Sequence, residues 1–272
     1  MRIATLEDTG LVEIHRAFLS AFSDYQVPMD MPLDAFTHHL ESNSYLPSLS
    51  LGAFTQDGLA GFILSGRRKD RLYDCGTGIL ASHRGCGLGG RLFDSLLPLA
   101  RDAGIRQCVL EVLQENEAAV RLYTGRGFRI SRELKCTVSG ERVEPSGWPV
   151  SRTASLDRDE CRQLWDGQGP SWQYDFDSLL PFPGRWIFLE ARDDSGLIGY
   201  AVSSPGGSLC QLAVRRDMRG LGIGRALTAA AQSLSDTGRL RMNNVGDEGL
   251  YGFLLHLGFR PAAMQWEMTL DL

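Results

Sequence analysis

The chain has 272 residues, 43% hydrophobic and 22% charged, a globular balance that argues against disorder and leaves room for one or two domains. A net charge of −5 gives no basic excess for nucleic acid or anionic lipid, and no apolar run approaches the ~18 residues of a membrane span. The six cysteines (75, 86, 108, 136, 161 and 210) form no CxxC pair, the histidines show no metal spacing, and the opening MRIATLEDTG lacks a signal-peptide core. The expectation is a cytoplasmic protein with buried single thiols and no metal, membrane or nucleic-acid partner.

In chain order, 11–22 carries a helical apolar period. Two apolar runs flank Asp57-Gly58 within 50–66 and predict a hairpin. Residues 71–81 predict a third strand, whose glycines suggest a bulge. A glycine-rich loop follows at Arg84–Gly90. Beyond it Leu88, Leu92, Leu96 and Leu99 share a helical face, with Pro98 inside as a source of kinking. CVLEV (108–112) reads as a buried strand and 116–128 as a short capped helix ending in glycines. Prolines, glycines and charges make 139–150 a linker, which divides the chain into 1–140 and 150–272. In the second part, 186–203 predicts a hairpin and 210–214 a strand entering another glycine loop. The fold class is α/β with a mixed (α+β) sheet, antiparallel hairpins feeding one helical crossover.

The two parts repeat each other. Arg84-Gly85-Cys86-Gly87-Leu88-Gly89 returns as Arg219-Gly220-Leu221-Gly222-Ile223-Gly224, and Gly127-Phe128 returns as Gly258-Phe259. Two long units in tandem, rather than a solenoid, fit a repeat that spans half the chain.

A strand that runs into glycines opening a helix leaves backbone N–H groups pointing outward, at the positive end of the helix dipole. Phosphate suits such a place. Glycine tolerates positive φ and lets an anion approach the backbone, and Arg84 and Arg219 add charge beside the loops. A dinucleotide-binding reading competes: Gly85, Gly87 and Gly90 satisfy G-x-G-x-x-G, and Glu111 lies about twenty residues on, where a ribose-binding acid would stand. Against it, Arg225 replaces the third glycine in the second copy, and hairpin strands precede the loop.

These residues resemble the GNAT superfamily of acyl-CoA-dependent N-acyltransferases, whose signature is (Gln/Arg)-x-x-Gly-x-(Gly/Ala) after a strand. The resemblance extends to Leu110-Glu111-Val112, Asn116, Ala119, Leu122-Tyr123 and Gly127-Phe128 in the first unit, and to the glycine loop and Gly-Phe end of the second. It implies two tandem GNAT-like domains, each with a sheet whose central strands part around CoA. It implies acetyl-CoA as the default donor, bound by the loop glycines (Gly85, Gly87, Gly89 and Gly90; Gly220, Gly222 and Gly224) with Arg84 and Arg219. Ile79 and Val214 would meet the acyl or pantetheine arm through their backbones, and Asn116 would cap its helix and touch the CoA arm. Transfer to a primary amine would be direct, in a ternary complex.

An amine attacking a thioester must lose protons, and the departing thiolate gains from receiving one. A phenol with a pKa near 10 is protonated at neutral pH and can donate. The resemblance assigns that role to Tyr123 and makes Glu111 the candidate base. In the second unit the tyrosine position holds Leu254, Asn243 or Asn244 stands in the glutamate region, and Asp247 falls near the Asn116 position, so that unit is expected to bind CoA without being the better catalyst. Tyr251 would substitute only in another register. Candidate acceptor-pocket residues are Asp24, Tyr25 and Asp30 in the first unit and Trp172 and Tyr174 in the second. A non-catalytic acyl-CoA sensor is the alternative reading, and an NAD-dependent oxidoreductase a distant one. The acceptor class stays open between a small-molecule amine and a peptide.

Overall fold

The computed structural model describes residues 1–24, 29–167 and 169–272. The chain divides into two compact units, one built from Met1–Ser131 with Trp266–Leu272, the other from Arg132–Gln265.

The N-terminal unit runs β1 (Arg2–Thr5), α1 (Leu11–Ala21), α2 (Leu33–Ser42), β2 (Leu51–Thr55), β3 (Gly58–Arg68), β4 (Arg71–Ile79), α3 (Leu88–Asp102), β5 (Gln107–Leu113), α4 (Glu117–Thr124) and the start of β6 (Arg129–Ser139). The strands from β1 to β4 pair antiparallel in sequence order. Alternation along β2 and β3 sets one face against α3, where Ala53, Ile63, Leu88, Leu92, Phe93 and Leu96 form a continuous core. α3 runs unbroken through Pro98, which lies on its exposed face, so the unpaired carbonyl one turn back meets solvent. The last residues of the chain belong to this core: Met268 is fully buried in it, and the Leu272 N–H donates to the Arg106 carbonyl.

Two irregularities position the site. In β4, Leu64 faces Gly76 while Ser65 faces Asp74, so Cys75 is an extra, bulged residue. β4 and β5 are parallel, as the α3 crossover requires, yet they pair only from Arg71–Gln107 to Tyr73–Val109. Beyond Tyr73 the strands separate, although β4 continues to Ile79 and β5 to Leu113.

The C-terminal unit holds the rest of β6, then β7 (Ser151–Thr153), α5 (Arg158–Arg162), α6 (Phe176–Leu179), β8 (Ile187–Asp193), β9 (Gly196–Ser203), β10 (Leu209–Val214), α7 (Ile223–Ser233), β11 (Arg241–Val245), α8 (Glu248–His256) and the start of β12 (Phe259–Asp271). β7 to β10 form an antiparallel sheet in sequence order, and β11 pairs with β6. Between β10 and β11 only a single parallel bridge, Ser208 to Arg241, forms. β10 repeats the irregularity of β4, with Cys210 as the extra residue opposite Ser203 and Val202. Residues 140–150 form no regular element and pack onto the second glycine loop: Ser146 Oγ donates to the Gly222 carbonyl at 2.7 Å and Trp148 Nε1 to the Leu221 carbonyl at 2.5 Å.

Candidate active site

Each glycine loop leads from the end of a separated strand into a helix. Gly85 and Gly87 have φ of 75° and 74°, and a Cβ on either would meet nothing within 4 Å. Gly220 (φ 80°) is likewise open, whereas a Cβ on Gly222 (φ 94°) would reach Ser146 at 2.8 Å. The first two glycines therefore serve backbone conformation and an approach from outside, not packing within the chain. Neither Gly87 nor Gly222 caps its helix with a side chain, so the first-turn N–H groups of α3 and α7 are left for another acceptor. α4 and α8 differ: Asn116 and Asp247 accept from the N–H groups of Ala119 and Leu250. That fixes the repeat register, since Asn116 answers to Asp247 and Tyr123 to Leu254.

The two arginines hold the loops in shape. Arg84 donates through Nε to the Ile79 carbonyl at 3.0 Å, through Nη2 to the Ala21 carbonyl at 2.8 Å, and grips Asp24 with both Nη atoms. Arg219 does the same, with Nε on the Val214 carbonyl at 3.0 Å and Nη1 on Asp166. The ion pair holds the Asp24 carboxyl below its usual range. The carbonyls of Ile79 and Val214 thus serve the loop, while both residues line the cavities described next.

In the N-terminal unit a cavity of about 440 Å³ lies beside the end of β4, walled by Thr77–Ile79, residues of the loop between Arg84 and Gly90, Asn116, Leu122 and Tyr123, with Ala21, Phe22 and Asp24 at one side. Tyr123 is 7% exposed, with its ring edge-on to Phe93 and Phe128. Its hydroxyl donates to Asp74 Oδ2 at 3.4 Å. Gly89 sits under Leu122. A Cβ on Gly90 would overlap the Arg126 guanidinium, which pairs with Asp94, so Gly90 makes room for an arginine. Glu111 is partly buried on β5 and does not line the cavity; strand alternation puts it on the face opposite Leu110 and Val112, which pack with Tyr123. Asp30 is exposed and outside the cavity, and Tyr25 lies outside the described residues.

The C-terminal cavity, about 430 Å³, extends from Arg219–Arg225 along both faces of the strand gap, Gln211–Val214 and Met242–Val245, to Trp165, Tyr174 and Tyr200. Its inner wall is hydrogen-bonded: Trp165 Nε1 donates to Tyr200 Oη at 2.5 Å, Tyr200 Oη to Gln211 Oε1 at 2.7 Å, and Gln211 Nε2 to the Tyr174 carbonyl at 2.5 Å. Asn243 and Asn244 line it, and Asn244 bonds Ser171 and Gln265. Trp172 is buried and does not line it. Leu254 is fully buried in the core, and Tyr251 lies against the Lys135 ammonium instead of the cavity.

Sequence reading passed over Asp74. Its signal was an acid inside an otherwise apolar strand, Tyr73-Asp74-Cys75. Burial pushes its pKa up to about 6, against the lowering effect of hydrogen bonds from Thr77, Gly76 and Tyr123. Arg126, Asp166 and Ser146 were also passed over, because their partners are remote in sequence.

Each unit thus pairs an uncapped helix N-terminus with a cavity that its glycine loop lines. The chain belongs to the Acetyltransferase (GNAT) family, whose model matches residues 11–128 and 153–253. These are the acyl-CoA-dependent acyltransferases, and the dinucleotide reading gives way to this assignment. The structure is similar to a GCN5-related N-acetyltransferase from Sphaerobacter thermophilus (TM-score 0.73, 16% identity, 99% of this chain and 95% of that one). It is also similar to a tandem GNAT protein from the clavulanic acid biosynthesis pathway (TM-score 0.72, 14% identity, 99% and 98%). No curated protein matches it in sequence. Among the described residues no helix is long and apolar enough to cross a membrane, and no three metal-ligating side chains cluster.

Proposed function

We propose that the protein is a cytosolic N-acetyltransferase that moves an acetyl group from acetyl-CoA to a primary amine, by direct attack in a ternary complex in the N-terminal unit. The observation that carries this reading is Tyr123, which lines the cavity that the glycine loop opens into and whose hydroxyl donates to Asp74. The loop N–H groups of Gly85, Gly87 and Gly89 and the first turn of α3 would receive the phosphates. The strand edge at Ile79 and the side chain of Asn116 border the path of the arm. Acetyl-CoA supplies the acyl thioester when bound.

An amine arrives largely protonated and must lose a first proton before it attacks. Glu111, on the face of β5 away from the Tyr123 core, is the proposed acceptor of that proton. Tyr123 then protonates the departing thiolate, a step worth on the order of 10²–10⁴ in rate. The acceptor is a small-molecule amine or a peptide; a polyamine, an aminoglycoside, an amino acid and a protein N-terminus share the required chemistry.

A second reading is favoured for the C-terminal unit alone. Leu254, where the N-terminal unit has Tyr123, cannot donate a proton, so this unit binds acetyl-CoA without turning it over. Calorimetric titration with acetyl-CoA, with NAD as comparison, tests both readings. Two sites per chain for acetyl-CoA and none for NAD are expected. No heat with acetyl-CoA overturns the proposal, and loss of turnover in Tyr123→Phe with binding retained assigns the chemistry.

A further inference from the structure

We propose that Asp74 and Tyr123 work as one proton-carrying pair, which takes the proton released by the attacking nitrogen and hands it to the departing sulfur. This rests on the acyl-transfer reading of the N-terminal unit and adds the source of the proton that Tyr123 gives.

Asp74 is the first residue of β4 beyond its pairing with β5, next to the bulge at Cys75. Its Oδ1 accepts the Gly76 N–H at 2.9 Å, and its Oδ2 accepts Thr77 Oγ1 at 2.7 Å and Tyr123 Oη at 3.4 Å. Thr77 and Tyr123 line the cavity, and the carboxylate stands directly behind them. Tyr123 therefore has a proton acceptor on its far side, fixed by two other donors.

The internal repeat gives an independent argument. The bulged cysteines, 75 and 210, and the loop arginines, 84 and 219, fix the alignment of β4 with β10. Asp74 then answers to Leu209, Thr77 to Leu212 and Tyr123 to Leu254, and all three leucines are buried. The second copy keeps the bulge, the glycine loop and the arginine tether, yet has lost every polar member of this cluster together. A phenol needed only for packing would not require its carboxylate and hydroxyl neighbours to go with it.

Burial also shifts the other ionisable groups around Asp74. Burial raises the Cys75 thiol beside it and pushes Cys108 on β5 up to about 12. His39, which reaches the Cys75 carbonyl from α2 at 2.8 Å, is lowered by burial. Glu111 is on the other face of β5. Asp74, at about 6, is ionised at pH 7.5 and still basic enough to hold a proton briefly.

The steps balance without a co-reactant. Attack forms the C–N bond and leaves one excess proton on nitrogen. Tyr123 Oη takes it while its own proton passes to Asp74 Oδ2. The C–S bond then breaks, Tyr123 protonates the sulfur, and Asp74 returns its proton to Tyr123. Amide and thiol leave, and the pair is as it began. Asp74 touches no substrate here and is a positioning residue that acts through Tyr123.

The test has a kinetic arm and a ligand-free arm. Thiol release from acetyl-CoA is followed with spermidine, kanamycin, lysine and an alanyl peptide as acceptors. Asp74→Asn is expected to lower kcat by about 100-fold or more while leaving the KM for acetyl-CoA within about 2-fold. It should also abolish an acid limb in kcat near pH 6. Asp74→Glu recovers part of the rate, and Asp74→Asn with Tyr123→Phe is no slower than Tyr123→Phe alone. A multiplicative loss, or an acid limb that survives in Asp74→Asn, overturns the proposal. In the second arm, carbon-13 NMR of labelled aspartate carboxyls should show one titrating near 6, absent in Asp74→Asn and moved upward in Tyr123→Phe, because the tyrosine bond favours the charged form. A carboxyl unmoved by Tyr123→Phe overturns the pairing even if Asp74→Asn fails to fold. Wild-type protein that releases no thiol with any amine sinks the acyl-transfer reading, while the titration still decides the pairing.

Discussion

Replacing Gly87 by alanine separates what the loop does for the fold from what it does for the ligand. Gly87 has φ 74° and ψ 13°, and a Cβ there meets no atom within 4 Å. The cost to the fold is therefore conformational alone, about 1–2 kcal/mol for an L-residue held left-handed. For a unit of this size that lowers Tm by about 3–8 °C. The same methyl stands where the loop N–H groups would meet a phosphate. Loss of one hydrogen bond to a charged group, about 1.5–3 kcal/mol, weakens binding at this site about 10- to 150-fold. Gly104 is the matched control: its φ is 77°, it is equally open, and it ends α3 at the far end from the loop. Thermal unfolding and acetyl-CoA calorimetry on Gly87→Ala and Gly104→Ala should show equal losses of stability but one lost site only in the former. Equal affinities in the two variants would refute the assignment of the loop to the phosphates.

Three further outcomes follow from the geometry. Because burial raises the folded-state pKa of Asp74 above its unfolded value of 3.8, the folded protein binds the extra proton between about pH 4 and 6, and stability falls as pH rises through that window. Asp74→Asn should thus be more stable to thermal unfolding than wild type at pH 7.5, the gain in unfolding free energy being about 3 kcal/mol at most, with the difference closing below pH 4; a variant less stable at pH 7.5 contradicts this. Cys86, between Gly85 and Gly87, is the exposed thiol while the other five are buried, so a thiol reagent should label one cysteine in the native protein and saturating acetyl-CoA should slow it. Labelling at an unchanged rate counts against the site. Leu254→Tyr should lose about 1–3 kcal/mol by overpacking a fully buried position and gain no turnover, since Leu209 and Leu212 still replace the carboxylate and hydroxyl. Turnover assigned to the C-terminal unit in a Tyr123→Phe background would show the tyrosine alone to be sufficient.

The loops, the repeat and the capped helix after β5 were legible in sequence because each depends on local chemistry. Glycine is needed where φ is positive, Asn116 and Asp247 cap the helices they precede, and the Leu88–Leu92–Leu96 spacing fixes the buried face of α3. Such signals repeat within one segment, so two copies half a chain apart can be matched by eye.

What depended on tertiary structure was the set of partners. Arg84 and Arg219 look like phosphate ligands beside a glycine loop, yet their donors are taken by a strand carbonyl and by Asp24 or Asp166, because a guanidinium satisfies several acceptors at once when the fold brings them together. Gly90 looks like a fingerprint glycine and is instead the space for Arg126. The acid beside Tyr123 is Asp74, across a strand gap that no local pattern encodes, and its raised pKa exists only because the fold buries it. The assignment of Trp266–Leu272 to the N-terminal unit is of the same kind. Backbone conformation and helix period are written in neighbouring residues, whereas strand separation, burial and long-range pairing come from the packing of the whole chain.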